Sequence, residues 1–364
     1  MKDDRTMKNL LLGMAVAVLG VNPALAQYSD DSDLAPRNLQ KRTQAPAREL
    51  RADQIETSEL SDREMFQVQV VRDTTRFGTQ GVPRLTLKDG KTTWTTNEEG
   101  MISGACPTSQ GTFTLTAALE SDRFRVYGQS GVYQISVDAE CGQKTTARMR
   151  ADSDSGQALG IYQIAAKART KLEQTVDIRF WSRKIDMRWP ADGDYYNWGG
   201  VNITRGDYWD VVGHELGHAI YDQAKIGSFG GGPHKIDECY TGSMAISEGW
   251  ASYFSSWISL DLTDPDARFE YMVPRRAPIH VEHVPTDVCD GPTNEWRAGT
   301  FFWDLIDLNS DGEDSKEGFR RVWDALLNSR SRDPAAAFMK LKSSGFDRAV
   351  LDIVWQLNFR SKTP

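Results

Sequence analysis

The hydrophobic period of this 364-residue chain switches near Gln157, and that switch limits the folds open to it. Before it, apolar and polar residues alternate in Phe66-Gln67-Val68-Gln69-Val70-Val71, Arg84-Leu85-Thr86-Leu87 and Phe113-Thr114-Leu115-Thr116. The same holds for Phe124-Arg125-Val126-Tyr127 and Val132-Tyr133-Gln134-Ile135-Ser136-Val137. A two-residue period sends successive side chains to opposite faces of a strand. Gly81-Val82-Pro83 and Asp89-Gly90 punctuate these runs as turns, so the segment predicts an all-β sandwich. After the change, Ile161, Ile164, Ala165, Ala168 and Leu172 follow helical spacing. Val176, Ile178, Phe180, then Ile185, Met187, Trp189, then Val201–Thr204 read as short strands. Beyond Tyr208 the segments Asn294–Ile306, Lys316–Asn328, Pro334–Lys342 and Phe346–Leu357 are all helical in pattern. Asp333 before Pro334 predicts a capped helix start. The expected fold class is therefore multidomain: an all-β sandwich followed by an α+β domain, helical toward the C-terminus.

The N-terminus adds a separate expectation. Lys2, Arg5 and Lys8 precede the apolar run Leu10–Gly20, which ends at Ala24-Leu25-Ala26. A basic start, a short apolar stretch and a small-residue exit read as a Sec-type signal peptide over residues 1–26. The run is shorter than the roughly 20 residues that span a bilayer, and no Cys follows it, so no stable membrane anchor is expected. Residues 27–62 are polar and read as a linker or pro-segment, with Glu56–Glu64 as an acidic solvated spacer. The remaining divisions are 63–150 for the β-sandwich and 151–364 for the α+β domain. Export to a periplasmic or extracellular compartment favours disulfides. The four Cys are expected to pair in order, Cys106 with Cys141 and Cys239 with Cys289, each within one expected domain.

The strongest chemical signal is His214-Glu215-Leu216-Gly217-His218. Val211, Val212, Leu216, Ala219 and Ile220 place it on an amphipathic helix. Residues four apart share a face, so His214 and His218 can offer two imidazoles to one cation. Zinc accepts imidazole nitrogen and acidifies a bound water. Glu215 is placed to take that water's proton rather than to hold the metal. A third protein ligand is needed, and Glu248, which opens another helical pattern 30 residues beyond His218, is the candidate. On spacing alone His234, Glu238, His280 and His283 stay open for that role.

Asp210–Ile220 resembles the active-site helix of thermolysin-type gluzincin metallopeptidases. Glu248-Gly249-Trp250 resembles the second helix of fungalysin-like peptidases, as do Gly231-Gly232-Pro233 and Cys239 between the helices. The likeness covers residues 200–305. It implies an α+β zincin-type domain in which His214, His218 and Glu248 hold Zn2+ and Glu215 is the general base, acting on a peptide or protein substrate. Three departures stand out. Ser252 occupies the place where thermolysin and fungalysin relatives put an Asp that orients a ligand His. The stretch Asn294–Gly299 lacks the His that those families set against the oxyanion, leaving Arg297, His280, His283 or Tyr271 as candidate donors. No Gly-x-Met-Glu-Asn signature of aminopeptidase N-like exopeptidases is present, so an endopeptidase is expected. In such enzymes an edge strand beside the helix binds extended peptide, and Val201–Thr204 matches its position. Gly81 to Gly100 loosely resembles transthyretin-like and carboxypeptidase-regulatory-like modules.

Asp307, Asn309 and Asp311 with Gly312 follow the early half of a calcium loop, making Ca2+ a second candidate ion. His234, after Gly230-Gly231-Gly232, is expected at the surface, and Trp250, Trp257, Trp296, Phe301, Phe302 and Trp303 in the core. The charge balance, 43 Lys+Arg against 51 Asp+Glu, excludes wrapping of nucleic acid, which needs a basic face. It sets no oligomeric state. Two other classes share these residues: a zinc hydrolase of non-peptide amides or esters, and a binding or adhesion protein with a vestigial peptidase domain.

Overall fold

The computed structural model describes residues 46–107, 111–198, 200–310, 312, 315 and 317–364. The expected signal peptide and most of the polar segment after it lie outside the described residues. The first strands are β1 (Glu49–Arg51), β2 (Gln54–Glu59), β3 (Met65–Asp73), β4 (Thr79–Gly81), β5 (Thr86–Lys88) and β6 (Thr93–Thr95). They continue as β7 (Met101–Ala105), β8 (Thr112–Ala118), β9 (Phe124–Gly128), β10 (Gly131–Val132), β11 (Gln134–Glu140) and β12 (Gln143–Met149). Next come α1 (Asp154–Thr175), β13 (Ile185–Arg188), β14 (Tyr195–Asn197), β15 (Gly200–Asn202), α2 (Trp209–Ala224) and α3 (Gly242–Ser259). A small hairpin of β16 (Arg268–Phe269) and β17 (Ile279–His280) precedes α4 (Glu295–Trp303), α5 (Phe319–Leu326), α6 (Pro334–Ser343) and α7 (Arg348–Phe359). The fold is N-terminal β-sheet followed by a mixed region that is helical toward the C-terminus, as expected.

Two sheets, ordered β1-β11-β8-β5-β6 and β2-β12-β3-β4 with β7 also on β3, form the sandwich. Phe66 on β3 reaches across to Trp94 on β6 and Phe113 on β8, edge-to-face at 5.3 and 5.0 Å. The polar segment expected as a linker supplies β1 and β2. All six residues of β2 are exposed, and backbone pairing with β12 holds it in place.

A third sheet, β10-β9-β13-β15-β14, joins strands from both sides of residue 150. Parallel pairing sets Ile185 opposite Phe124 and Met187 opposite Val126. The expected boundary there does not separate two hydrogen-bonded units, and one hydrophobic cluster runs from Leu50 to Phe359. The expected strand at Val176–Phe180 is instead a single 3₁₀ turn, because the Asp177 side chain accepts the Arg179 N–H and closes it.

Three helices, α2, α3 and α4, pack closely enough to set the site. A Cβ on Gly217 of α2 would lie 2.9 Å from the Ala251 backbone on α3, and one on Gly249 of α3 would lie 2.5 Å from Ala298 Cβ on α4. Only glycine admits that approach. At the start of α2 the fully buried Asp210 carboxylate accepts the backbone N–H groups of Glu270, Tyr271 and Met272, at 2.7, 2.7 and 3.2 Å. Trp250, Trp257, Trp296, Phe301, Phe302 and Trp303 are core residues as expected. Among the described residues no helix is long and apolar enough to cross a membrane.

Candidate metal centre

His214 and His218 lie one turn apart on α2, and Glu248 enters from α3. Among the described residues these three alone form a group of side chains able to hold a metal ion, with their donor atoms all within 4.8 Å of one another. His214 Nε2 and His218 Nε2 are 3.1 Å apart, and Glu248 Oε2 lies 3.1 and 3.0 Å from them. All three residues are buried. Donors held 2.0–2.1 Å from a tetrahedral ion stand about 3.3 Å apart, so these spacings suit one cation.

Burial pushes the Glu248 carboxyl up, but the charge of His218 and hydrogen bonds from His214 and His218 hold it well below the ordinary carboxylate range. Burial pushes the His214 imidazole down, against the pull of Glu248. Metal binding demands an ionised carboxylate and unprotonated imidazole nitrogens, so a cation would replace the protons that link Glu248 to the two histidines.

Ser252 Oγ lies 3.2 Å from His214 Nδ1. With Nε2 serving as a metal ligand, Nδ1 would carry the ring proton and donate it to the hydroxyl, a bond that fixes the ring. The serine therefore sits where an orienting partner was missing from the sequence pattern, one turn after Glu248 on α3. His218 Nδ1 is buried with no hydrogen-bond partner among the described residues. Glu215 is buried next to His214 and stands outside the set of converging donors.

The loop between α2 and α3 flanks the cluster on two sides. On one, the Phe229 ring lies 6.4 Å from His218. On the other, His234 is only 3% exposed, contrary to the expected surface position. Its Nε2 lies 4.0 Å from Glu248 Oε2 and 3.2 Å from Glu295 Oε2, and its Nδ1 lies 2.9 Å from the Gly232 carbonyl. Neither residue carries a periodic signal. The clue for His234 was its place between a glycine run and Cys239, whose disulfide to Cys289 is present as expected, beside that of Cys106 and Cys141.

Arg297 is not an oxyanion donor. It is 1% exposed, and its guanidinium donates to the carbonyls of Cys289, Val288 and Asn358 and pairs with Asp290. Three backbone carbonyls and one carboxylate engage all three nitrogens of the fork, so its task is to fasten the approach to α4. Tyr271 stacks on Tyr208, while His280 faces Asp266 and stacks on His283, and neither histidine belongs to the set of converging donors. The expected edge strand is also corrected: β15 pairs on both sides, with β13 and β14, and the end of the sheet is β14, Tyr195–Asn197. In the calcium loop Asp311 lies outside the described residues. The Asn309 amide donates to Glu282, and its backbone N–H to Asp307.

No protein-family model matches the chain, and no curated protein matches it.

Proposed function

We propose that this chain is an exported zinc metallopeptidase that cuts within peptide or protein substrates. The observation that carries the reading is the buried convergence of His214, His218 and Glu248, with Glu215 on the same helix as the two imidazoles. Two nitrogens and one carboxylate oxygen are a donor set of catalytic zinc sites, which keep a further position for water. Zinc so held supplies a Lewis acid that acidifies water and polarises a carbonyl.

The remaining work falls to the protein. Glu215 takes a proton from the attacking water and returns it to the leaving amine. His234 Nε2, 4.0 Å from Glu248 and 3.2 Å from Glu295, takes the place proposed for Arg297 and would donate to the developing oxyanion by turning from the Glu295 carboxylate. Ser252 keeps His214 in register. Export is supported by the N-terminal pattern through Ala26 and by the two disulfides, which persist in oxidising compartments.

The test is Glu215→Gln. Hydrolysis of a quenched-fluorescent peptide library is expected to fall about a hundred- to ten-thousand-fold, with zinc content by metal analysis unchanged. Wild-type turnover by that variant rejects the mechanism. A wild-type protein that cleaves esters but no peptide moves the chemistry to a non-peptide substrate.

A further inference from the structure

We propose that the open cleft between α1 and the outer face of the β2-β12-β3-β4 sheet is a second binding site, one that takes a short peptide with both ends free and meets its carboxylate with Lys167. The cleft measures about 990 Å3, and none of its lining residues belongs to the metal cluster. That volume lies at the upper end of the range of small-ligand sites. α1 supplies one wall. Gln163, Lys167, Thr170, Lys171 and Gln174 recur at helical spacing and share one face. The helix is fastened to the sandwich at one side of the cleft. Gln163 Nε2 donates to the Gly81 carbonyl at 2.8 Å, the Tyr162 hydroxyl donates to the Arg84 carbonyl at 2.6 Å, and Arg84 pairs with Glu173 at 2.7 Å. The sheet supplies the other wall. Glu56 of β2, Thr146 of β12 and Gln69 of β3 stand opposite one another in one cross-strand row. Gln69 Nε2 extends the row by donating to the Glu99 carbonyl at 3.0 Å. This wall therefore has Glu56 at one end and Glu98 and Glu99 at the other.

The charges identify the ligand. Among the described residues Lys167 makes no hydrogen bond and no ion pair, and its ammonium lies 5.9 Å from the centre of the Phe77 ring. Lys167 is exposed, yet the walls stand close enough to push its ammonium down. Lys171, one turn on, lies 5.4 Å from the Trp257 ring and donates to the Trp257 carbonyl at 2.5 Å. Burial, and then the charge of Lys167, push it down to about 8, with Asp261 opposing. Two neighbouring ammonium groups partly withdrawn from water gain from an anion between them. Arg148, by contrast, is taken up by Asp73 at 2.9 and 3.1 Å. The open charges are thus Lys167 and Lys171 on one wall and Glu56, Glu98 and Glu99 on the other. A polyanion is repelled by the second wall and a polycation by the first. A chain with a carboxylate at one end and an ammonium at the other satisfies both, and the amides and hydroxyls between suit its peptide groups.

Isothermal titration of the zinc-loaded Glu215→Gln chain with tetra-alanine tests this with no peptide consumed. Tetra-alanine with both ends free is expected to bind. Amidating its C-terminus should weaken binding about tenfold and acetylating its N-terminus a few-fold. Lys167→Met should weaken the free peptide about tenfold and leave the amidated one unchanged, because the two changes remove the same contact. Lys167 holds no other polar group, so the circular dichroism spectrum and zinc content should stay as they are. The opposite wall gives a second, independent variant. Glu56→Gln with Glu98→Gln and Glu99→Gln, all three exposed, should abolish the effect of acetylation and keep that of amidation. No binding by the free peptide, an amidation effect that persists in Lys167→Met, an acetylation effect that persists in the triple variant, or tripolyphosphate binding tighter than the peptide overturns the proposal. Peptide held at the metal cluster instead would be insensitive to Lys167→Met, and that result overturns it too.

Discussion

The two disulfides invite comparison because they differ so little as cross-links. Both hold Cα atoms 5.7 Å apart, and they close spans of 35 and 50 residues. Chain-entropy arguments assign each about 4 kcal/mol. Their surroundings differ. Cys106–Cys141 ties the end of β7 to the turn between β11 and β12, where the backbone also bonds Cys106 N–H to Glu64 and Cys141 N–H to Gly111. Cys239–Cys289 ties the loop that carries His234 to the approach to α4, which carries Glu295. Around it the Cys289 N–H donates to the Asp237 carbonyl, Asn294 Nδ2 donates to the carbonyls of Ile236 and Glu238, and Arg297 holds the carbonyls of Cys289 and Val288. Equal covalent constraint is therefore expected to have unequal consequence, set by what the fastened segment carries.

The most direct way to break this contrast is to remove each bridge in turn. Cys239→Ser with Cys289→Ser is expected to lower peptide hydrolysis per folded molecule about a hundredfold, the scale of losing one oxyanion donor. Cys106→Ser with Cys141→Ser should leave it within twofold. Chemical denaturation should show a loss of about 4 kcal/mol in both. Activities that fall together would mean that the second bridge acts only through global stability.

A narrower cut sharpens the comparison between a ligand oriented from a helix and a donor held by a strap. Ser252 reaches His214 from within α3, independent of either disulfide. Ser252→Ala should weaken zinc affinity about ten- to a hundredfold, read by competition with a chelator, and leave the fold intact. Unchanged affinity would show that packing alone orients the ring.

These contrasts track what could be read from the chain. His214 and His218 were legible because four-residue spacing on an apolar stripe has one structural outcome, and Glu248 because it falls in a second helical pattern, although that helix starts at Gly242, capped by Thr241, and not at Glu248. The Cys pairs were legible because each lay in one segment of uniform pattern. His234 was not, because a glycine-rich loop has no period, and its burial depends on partners at residues 289–297, far along the chain. Arg297 sits on a helix the pattern revealed, yet its direction is decided by carbonyls of residues 288, 289 and 358. The pairing of β9 with β13 escaped for a related reason: alternation marks a strand but not its neighbour, and β10, β11, β12 and α1 lie between these two in the chain. The alternation at Val176–Phe180 misled because Asp177 closes a turn locally.

The smallest expected effect is one of pH, and it compares the same two regions. Hydrogen bonding from Arg275 holds the Asp237 carboxyl below its ordinary value of 3.8, with burial opposing and Arg275 and Arg276 charges adding. Hydrogen bonding from Arg148 likewise holds Asp73 below 3.8 in the sandwich, against the opposing effect of burial. A carboxyl whose folded value is depressed binds its proton more tightly in the unfolded chain. Its stabilisation is therefore complete above 3.8 and is lost as pH falls below that value through the folded one. Both pairs are partly exposed, so each is worth under about 1 kcal/mol. Asp237→Asn should speed hydrogen exchange of the 235–240 amides at pH 7 only a few-fold and leave residues 70–81 unchanged, with Asp73→Asn giving the reverse. Wild-type protein taken below pH 3.8 should show both increases together, after correction for intrinsic exchange. If Asp237→Asn loosens the sandwich strands as well, the two regions share one opening reaction, and the strap is not a separately held part of the molecule.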